Sequence, residues 1–204
     1  MIESLKNIWN MNDLRGRILF TLAILAVYRV GAFIPTPGVN TEVLREIFDR
    51  NRGTALGFLD LFSGGNFGNF TIFALGITPY ITSSIILQLL TVVWPYLERL
   101  SKEGELGRKK ITQYTRYLTV VLGLIQSIGI ASFLQSMPAE GGAQVVINPG
   151  FGFVFMTMLT QTTGTAFIMW LGERITERGI GNGMSLIIFA GIVSGLPSAS
   201  HEVF

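Results

Sequence analysis

Long apolar runs alternate along the chain with short runs of charged and turn-forming residues. The apolar runs are long enough to cross the roughly 30 Å hydrocarbon core of a bilayer as helices. We predict membrane spans at about 18–34, 70–95, 117–135, 151–171 and 182–197. Residues 40–52 are polar and helix-like, and we expect them to lie outside the membrane, with their apolar side formed by Val43, Leu44, Ile47 and Phe48.

The stretch 61–97 carries no charged residue and is the centre of the prediction. As one helix it would be about 55 Å long, more than one span needs. Gly64, Gly65 and Gly68 break its first third, because glycine loses the most backbone freedom on ordering. We therefore predict a short broken segment, then a full span that begins after Asn69, a candidate N-cap.

Broken backbone at membrane depth is tolerated only inside protein or beside a water-filled cavity. A re-entrant segment would therefore favour a channel or a carrier over a simple anchor. The alternative is that residues 57–70 form an outside loop whose apolar side chains lie at the interface.

Composition and charge support a membrane protein and predict its orientation. Charged residues make up 14% of the chain, against about 25% in soluble domains. The N-terminus, the hairpin-like loop 98–116 and the turn 172–183 hold 11 Lys and Arg, against 3 in 40–52 and none in 137–150. The positive-inside rule then predicts a cytoplasmic N-terminus.

Two stripes run along the second predicted span. They are an apolar ridge of Ile77, Ile81, Ile85 and Leu89, and a polar stripe of Ser84, Gln88 and Thr91. The ridge is either ordinary lipid-facing or core surface, or a hydrophobic constriction that closes a pore by dewetting. The stripe faces other helices or water, most often as packing contacts.

The sequence offers little chemistry beyond these stripes. It has no cysteine and a single histidine, His201, and it contains no nucleophile–base pair, carboxylate dyad or phosphate-binding loop. We therefore predict no enzyme activity, no catalytic residue, no cofactor and no metal site. Arg29 either snorkels to the interface or has a buried structural role, and Gly191 and Gly195 form a weak small-xxx-small pattern.

Several long segments resemble the SecY family, the protein-conducting channel of the Sec translocon. They are RVGAFIPTPGV, the stretch from FSGGNFGNF to RKKITQYTRY, VINPGF, and WLGERITERGIGNGMSLIIFAGIVSGLP. The family has ten spans in two halves related by inverted pseudo-symmetry. The resemblance covers nearly the whole chain and implies an all-α membrane protein of five transmembrane helices with a short re-entrant plug half-helix. This is one half of a ten-span inverted-repeat channel, and we expect it to need the other half to form a sealed pore.

The resemblance also implies roles for particular residues. The plug, a half-helix that closes the outer funnel, corresponds to Gly57, Phe58, Leu59, Asp60, Leu61, Phe62, Ser63, Gly64, Gly65, Asn66, Phe67 and Gly68. The pore ring corresponds to Ile81 and Ile85 on the second span and to Met184 and Ile188 on the fifth. Met184 departs from the usual branched aliphatic residue, although a flexible thioether still seals.

Two further sets are assigned more loosely. The second and third spans resemble one side of the lateral gate, which gives Ser84, Gln88 and Thr91 a role there. Arg108, Lys109, Lys110 and Arg178 are candidate contacts for cytoplasmic partners; the alternative is that their charge only sets the topology.

The sequence thus supports a protein-conducting channel subunit that passes unfolded polypeptides across the bacterial cytoplasmic (inner) membrane and releases membrane segments laterally into it. The implied partners are SecE and SecG subunits, the SecA motor ATPase or a ribosome, a signal sequence with its translocating polypeptide, the lipid bilayer and the C-terminal half of the channel. The alternative is half of a small-solute secondary transporter, which a charged residue facing the cavity would favour. A structural scaffold leaves the glycine-broken segment unexplained.

Overall fold

The computed structural model describes residues 12–50, 54, 57, 60, 63–137 and 144–200. The described part contains seven helices: α1 (Asn12–Gly31), α2 (Thr41–Arg50), α3 (Thr78–Val93), α4 (Pro95–Lys102), α5 (Glu105–Ser136), α6 (Phe151–Arg178) and α7 (Gly183–Ser200). The described residues form no β-sheet, only two isolated bridges. Of the segment assigned to the plug, Phe58, Leu59, Leu61 and Phe62 lie outside the described residues, as does His201.

The central helix begins later than the sequence pattern predicted. Residues 70–77 form turns, and α3 starts at Thr78 with Pro79 in its first turn. Phe70 (φ 43°) and Gly76 (φ 55°) adopt positive φ, which a right-handed helix does not accommodate. The prediction that the helix starts at residue 70 is therefore wrong, and Asn69 is not its N-cap; the bounds of the membrane span stay a prediction.

Two segments predicted as charged connections are largely helical. Residues 98–116 belong to α4 and to the start of α5, and Gly172–Arg178 extends α6. Between α3 and α4 the chain bends by 100° at Trp94. Trp94 is extended (φ −100°, ψ 113°), as expected of a residue before proline, and Pro95 opens α4. Charge alone misled the prediction here, because charged residues are good helix formers.

Helices α5 and α6 pack antiparallel at the centre of the fold. Arg116 bonds Glu173 near one end of the pair, and Gln135 donates to the carbonyl of Gly150 near the other. A seam of small residues on α5 allows this close approach: Thr115, Thr119, Gly123, Ser127 and Ala131, all buried at four-residue spacing. Helix α3 packs on α5, and α1 and α7 pack on α6.

The connections fall at two ends of this bundle. The charged end comprises α4, the first turns of α5 and the turn 179–182. The capped end comprises α2 and the segments 35–39 and 144–150, which pair through Asn40 N to Val145 O at 2.8 Å. The apolar side of α2 predicted from the sequence is confirmed, since Leu44 and Phe48 are buried and Val43 and Ile47 pack beside them.

Many large apolar side chains are exposed, and several hydroxyl groups are buried beside the apolar core. Val30, Val121 and Phe151 are among the exposed side chains, whereas the hydroxyl groups of Ser83 and Thr119 are among the buried ones. This arrangement is typical of helices packed in lipid, where small polar residues pair inside and aliphatic ones face outward. By length and hydropathy one described helix, α5, suffices to cross a membrane, and α3 with α4 does so only as a bent pair. The count of five spans stays a prediction.

Candidate functional site

Two cavities lie on either side of a pair of isoleucines. The first, about 570 Å³, extends toward the capped end and is lined mainly by apolar residues, among them Tyr28, Phe67 and Ile168. The second, about 550 Å³, opens toward the charged end and includes Tyr80, Glu173 and Asn182. Ile81 of α3 and Ile188 of α7 line both cavities. These two side chains therefore lie where the two cavities meet, and we call this pair the partition.

The structure brings all four residues assigned to the pore ring to one place. Ile85 and Met184 line the second cavity together with Ile81 and Ile188. Ile81 and Ile85 are 37% and 52% exposed, so neither is part of the packed core. Helices α3 and α7 thus present these four side chains to one cavity, and their role as a pore ring stays a prediction.

Helix packing aims these side chains at the cavity. Pro79, Ser83 and Leu87 are the buried face of α3, which leaves Ile81 and Ile85 on the opposite side. The first residue of α7 is in close backbone contact with α6. A Cβ on Gly183 would lie 1.9 Å from the carbonyl oxygen of Gly172. Close backbone contact of this kind fixes the direction of the neighbouring side chains.

The glycine-broken segment is held by its own polar groups. The Asp60 carboxylate accepts from the backbone N–H of Gly68 at 2.7 Å. The side chain of Asn66, only 1% exposed, donates to Tyr28 Oη at 3.2 Å and to the carbonyl of Ser63 at 2.7 Å. These bonds satisfy irregular backbone that would otherwise be unpaired away from water.

A glutamine on α6 supports the turns before α3, and the sequence analysis did not single it out. Gln161 Nε2 donates to Thr36 Oγ1 at 2.8 Å and to the carbonyl of Thr71 at 2.9 Å, and its Oε1 accepts from the N–H of Leu75. One turn further along, Gly164 lets the backbone at Ile72 approach α6. The available signal was a strongly polar amide side chain in the middle of a predicted span.

The family model named SecY matches residues 71–204. The chain belongs to the SecY family. Among curated relatives, it is 56% identical to protein translocase subunit SecY of Escherichia coli K12 over 95% of this chain and 43% of that protein. It is 49% identical to the subunit of the same name from Aquifex aeolicus over 100% of this chain and 48% of that protein. The chain thus spans about half the length of these relatives.

Solved structures agree on the fold. Sec61 in a canine ribosome–channel complex from the endoplasmic reticulum matches with a TM-score of 0.58 at 17% identity, over 87% of this chain and 36% of that chain. A second match, described as the structure of a protein conducting channel, has the same TM-score, identity and coverage. At this identity the likeness establishes a shared SecY-type fold and nothing finer.

Within this SecY-family fold, the three residues of the polar stripe on α3 do not share one environment. Ser84 lines the second cavity, whereas Gln88 and Thr91 line neither of the two cavities beside the isoleucine pair. Gln88 Nε2 donates to Ser84 Oγ at 3.4 Å and Thr91 Oγ1 to the carbonyl of Gln88 at 2.6 Å, so the stripe bonds within its own helix. Its assignment to a lateral gate stays a prediction.

The candidate partner contacts gather at the charged end. Arg108, Lys109, Lys110 and Arg178 are all exposed there. Nearby on α4, a hydrogen bond from Lys102 to the Glu98 carboxylate (2.6 Å) lowers the pKa of Glu98 below its ordinary value. Exposed basic groups on one end suit contacts with an acidic surface, and their contact role also stays a prediction.

An ion pair closes one wall of the second cavity. Arg116 Nε lies 2.7 Å from Glu173 Oε1, with side chains 41% and 15% exposed. Glu173 falls in the predicted turn 172–183, but the structure places it on α6, in contact with Arg116 of α5. A second ion pair, Arg174 with Glu177 at 2.9 Å, lies within α6, and its Glu177 is more exposed than Glu173 of the first pair.

We expect Glu173→Ala to lower the free energy of unfolding of the complete channel by about 1 kcal/mol, because Arg116 then loses its partner in a half-buried wall and solvent screens only part of the pair. Glu177→Ala, which removes the exposed pair, is the matched control and costs about half as much or less. Thermal unfolding in detergent compares the two. Equal shifts would mean that the link between α5 and α6 adds nothing.

Proposed function

We propose that this chain is one half of a protein-conducting channel through which unfolded polypeptides cross a membrane. The observation that carries the proposal is the pair Ile81 and Ile188, which lies where the two cavities meet. The relatives named protein translocase subunit SecY support it. Because the chain spans about half their length, the pathway is complete only with a second half.

The chemistry of the partition fits a passing polypeptide better than a bound solute. Branched aliphatic side chains exclude water and ions by dewetting but form no directional bond with a substrate. Three charged residues line the second cavity, Arg116, Glu173 and Glu177, and each is held in an ion pair, Arg116 with Glu173 and Glu177 with Arg174. The partition itself is therefore aliphatic, which favours a channel over a carrier.

The proposed plug is the segment 57–68. In its described part, Gly57, Asp60 and Ser63 have helical backbone, and turns follow from Gly64. Gly64 sits against α7, since a Cβ there would lie 2.5 Å from the carbonyl oxygen of Gly191. Ser63 and Phe67 line the first cavity, next to the partition. A short segment held by close glycine contacts at this place suits a movable closure.

The wider setting follows from the charge distribution and from the family. We infer five spans with the charged end in the cytoplasm of a bacterium, because basic residues cluster there. The proposed partners are SecE and SecG, with SecA or a ribosome at the charged end, where Arg108, Lys109, Lys110 and Arg178 are exposed. Signal sequences would leave sideways beside α3, past Ser84, Gln88 and Thr91. The chain itself is proposed to catalyse no reaction.

Cross-linking to a stalled substrate tests this function, and the chain helps because it contains no cysteine. In the complete channel, Ile81→Cys, Ile85→Cys and Ile188→Cys are made singly, and a secretory chain carrying one cysteine is arrested partway across. We expect disulfides at all three positions, because each lines the proposed path.

Neighbouring positions that line neither cavity serve as matched controls, namely Ile86→Cys on α3 and Phe189→Cys on α7. They are expected to cross-link only weakly. Equal cross-linking at controls and test positions, or none anywhere while secretion proceeds, would place the polypeptide path elsewhere.

A further inference from the structure

A third, smaller cavity lies at the capped end, and Gly64, Gly65 and Asn66 of the proposed plug are among its lining residues. Its volume is about 140 Å³, and it lies between the end of α1, the first turns of α2 and the glycine turn at 64–69. Two arginines line it, Arg29 from α1 and Arg45 from α2, together with Asn69 and the hydroxyl-bearing Thr41. The channel proposal gives this cavity no role.

Within the described part of the chain, neither arginine has a carboxylate partner. Arg29 donates from Nη1 to Ser194 Oγ at 2.9 Å and lies over the Phe33 ring at 5.2 Å. Arg45 donates from Nε to Asn69 Oδ1. Both observed acceptors are neutral; Arg29 is half-buried and Arg45 is exposed, so two positive charges line one small space. Like charges in such a space repel each other, and an anion between them removes that cost.

The donors suit an oxyanion with several acceptor oxygens. A guanidinium carries five N–H donors in a planar fork, and each arginine uses only one of them in a hydrogen bond described above. Such forks bind phosphate oxygens in pairs. The arginines reach the cavity from two different elements, so one anion would tie α1 to α2 beside the glycine turn.

The surroundings of the cavity indicate where the phosphate comes from. Phe33 lines the cavity and is 73% exposed, and its neighbours Val30 and Ile34 are exposed too. On α1 itself, Val30 and Val27 are exposed next to Arg29 and toward the middle of the helix. A phospholipid presents the same sequence of groups, a phosphodiester followed by an acyl chain.

We propose that Arg29 and Arg45 form a binding site for a phosphate-type oxyanion, supplied by the headgroup of a membrane phospholipid whose acyl chain lies along the exposed Val30 and Val27 of α1. The site also gives a reason for the basic residues at the capped end, where the positive-inside rule predicts few of them. It does not depend on the channel proposal, because it involves neither the partition nor the translocated chain.

Lipid retention by the complete channel tests the proposal. The purified channel is incubated in detergent with dioleoyl phosphatidylglycerol, with the matching diacylglycerol that lacks phosphate, or with inorganic phosphate, and bound molecules are counted by native mass spectrometry. We expect phosphatidylglycerol retention to fall roughly tenfold in Arg29→Gln and again in Arg45→Gln, since each loses charged hydrogen bonds. The diacylglycerol is retained weakly by every variant.

Two sets of variants keep the result interpretable. Arg50→Gln, on the same helix as Arg45 but outside the cavity lining, retains the lipid as the parent does. Arg29→Lys and Arg45→Lys keep the charge without the fork, and they recover part of the retention if they fold as the parent does.

The three ligand arms separate the outcomes. If inorganic phosphate binds in the same arginine-dependent way while the lipid does not, the oxyanion site stands and its ligand is a free anion. If Arg29→Gln and Arg45→Gln retain lipid and phosphate as the parent does, the site does not exist. A parent channel that retains neither ligand overturns the proposal as well, because the arginines are then compensated by another part of the complex.

Discussion

Gly164→Ala is expected to destabilise the channel by about 3 kcal/mol or more, the largest stability effect of any prediction here. A Cβ at this position would lie 1.9 Å from the carbonyl oxygen of Ile72 and 3.3 Å from the ring of Phe73. The atom in the way is backbone, held by neighbouring bonds that include Ile72 N to Ile34 O at 2.9 Å. It cannot turn aside as a flexible side chain can. Helix α6 and the turns before α3 must therefore separate.

Thermal unfolding of the detergent-solubilised complex measures this effect, together with the resistance of the 70–77 turns to proteolysis. Gly129→Ala is the matched control, since that glycine is also helical and a Cβ there meets nothing within 4 Å. The control should be neutral or stabilising by up to about 1 kcal/mol, because alanine is the better helix former. Similar behaviour of the two variants would show that α6 does not approach residue 72 closely.

Opening the isoleucine partition is expected to have the largest functional effect. In the complete channel, the double variant Ile81→Ser with Ile188→Ser should raise the resting ion conductance by roughly an order of magnitude, because hydroxyl groups hydrate a constriction that aliphatic groups keep dry. Both residues line both cavities, so the change places hydroxyl groups where the two cavities meet. Single-channel recording in planar bilayers, with no substrate present, measures it.

Two controls separate dewetting from general damage to the fold. Ile81→Leu keeps an aliphatic group of the same size and should leave the conductance unchanged. Phe189→Ser changes a neighbouring exposed residue that lines neither cavity and should also be silent. If the double variant conducts no more than these controls, Ile81 and Ile188 are not the seal.

The apolar ridge on α3 shows what helical spacing alone can predict. Spacing alone placed Ile81 and Ile85 on one face, and the structure confirms that this face is turned away from the core. Spacing could not pair them with Met184 and Ile188, which lie about a hundred residues away along the chain. The family resemblance suggested that pairing, and the shared cavity supplies the geometry for it.

Helical spacing gave a wrong prediction where polar and glycine residues changed the backbone conformation. Residues 70–77 read as the start of an apolar helix, yet Phe70 and Gly76 adopt positive φ and the segment forms turns. Those turns exist because Gln161 supplies partners for their backbone groups, and because Gly164 leaves room for them. Both causes lie on another helix, so no local pattern contains them.

The charge pattern also predicted some features of the structure and missed others. The count of basic residues gathered the 98–116 and 172–183 segments at one end, and the structure places them together there. It could not reveal that Arg116 and Glu173 form an ion pair between helices, nor that Arg29 and Arg45 share a cavity. Which charges pair depends on which elements become neighbours in the fold. The number of charges in each segment can be counted from the sequence alone.

By itself, the sequence determined the membrane character of this chain, most of its helices and its membership of the SecY family. Composition, hydrophobic period and long ordered motifs are properties of neighbouring residues, and they can be read without a fold. The tertiary structure alone decided where the central helix starts, which side chains form the partition and which polar groups stabilise the turns. These features depend on contacts between distant segments, which form only when close helix packing brings glycines, hydroxyls and amides within bonding distance.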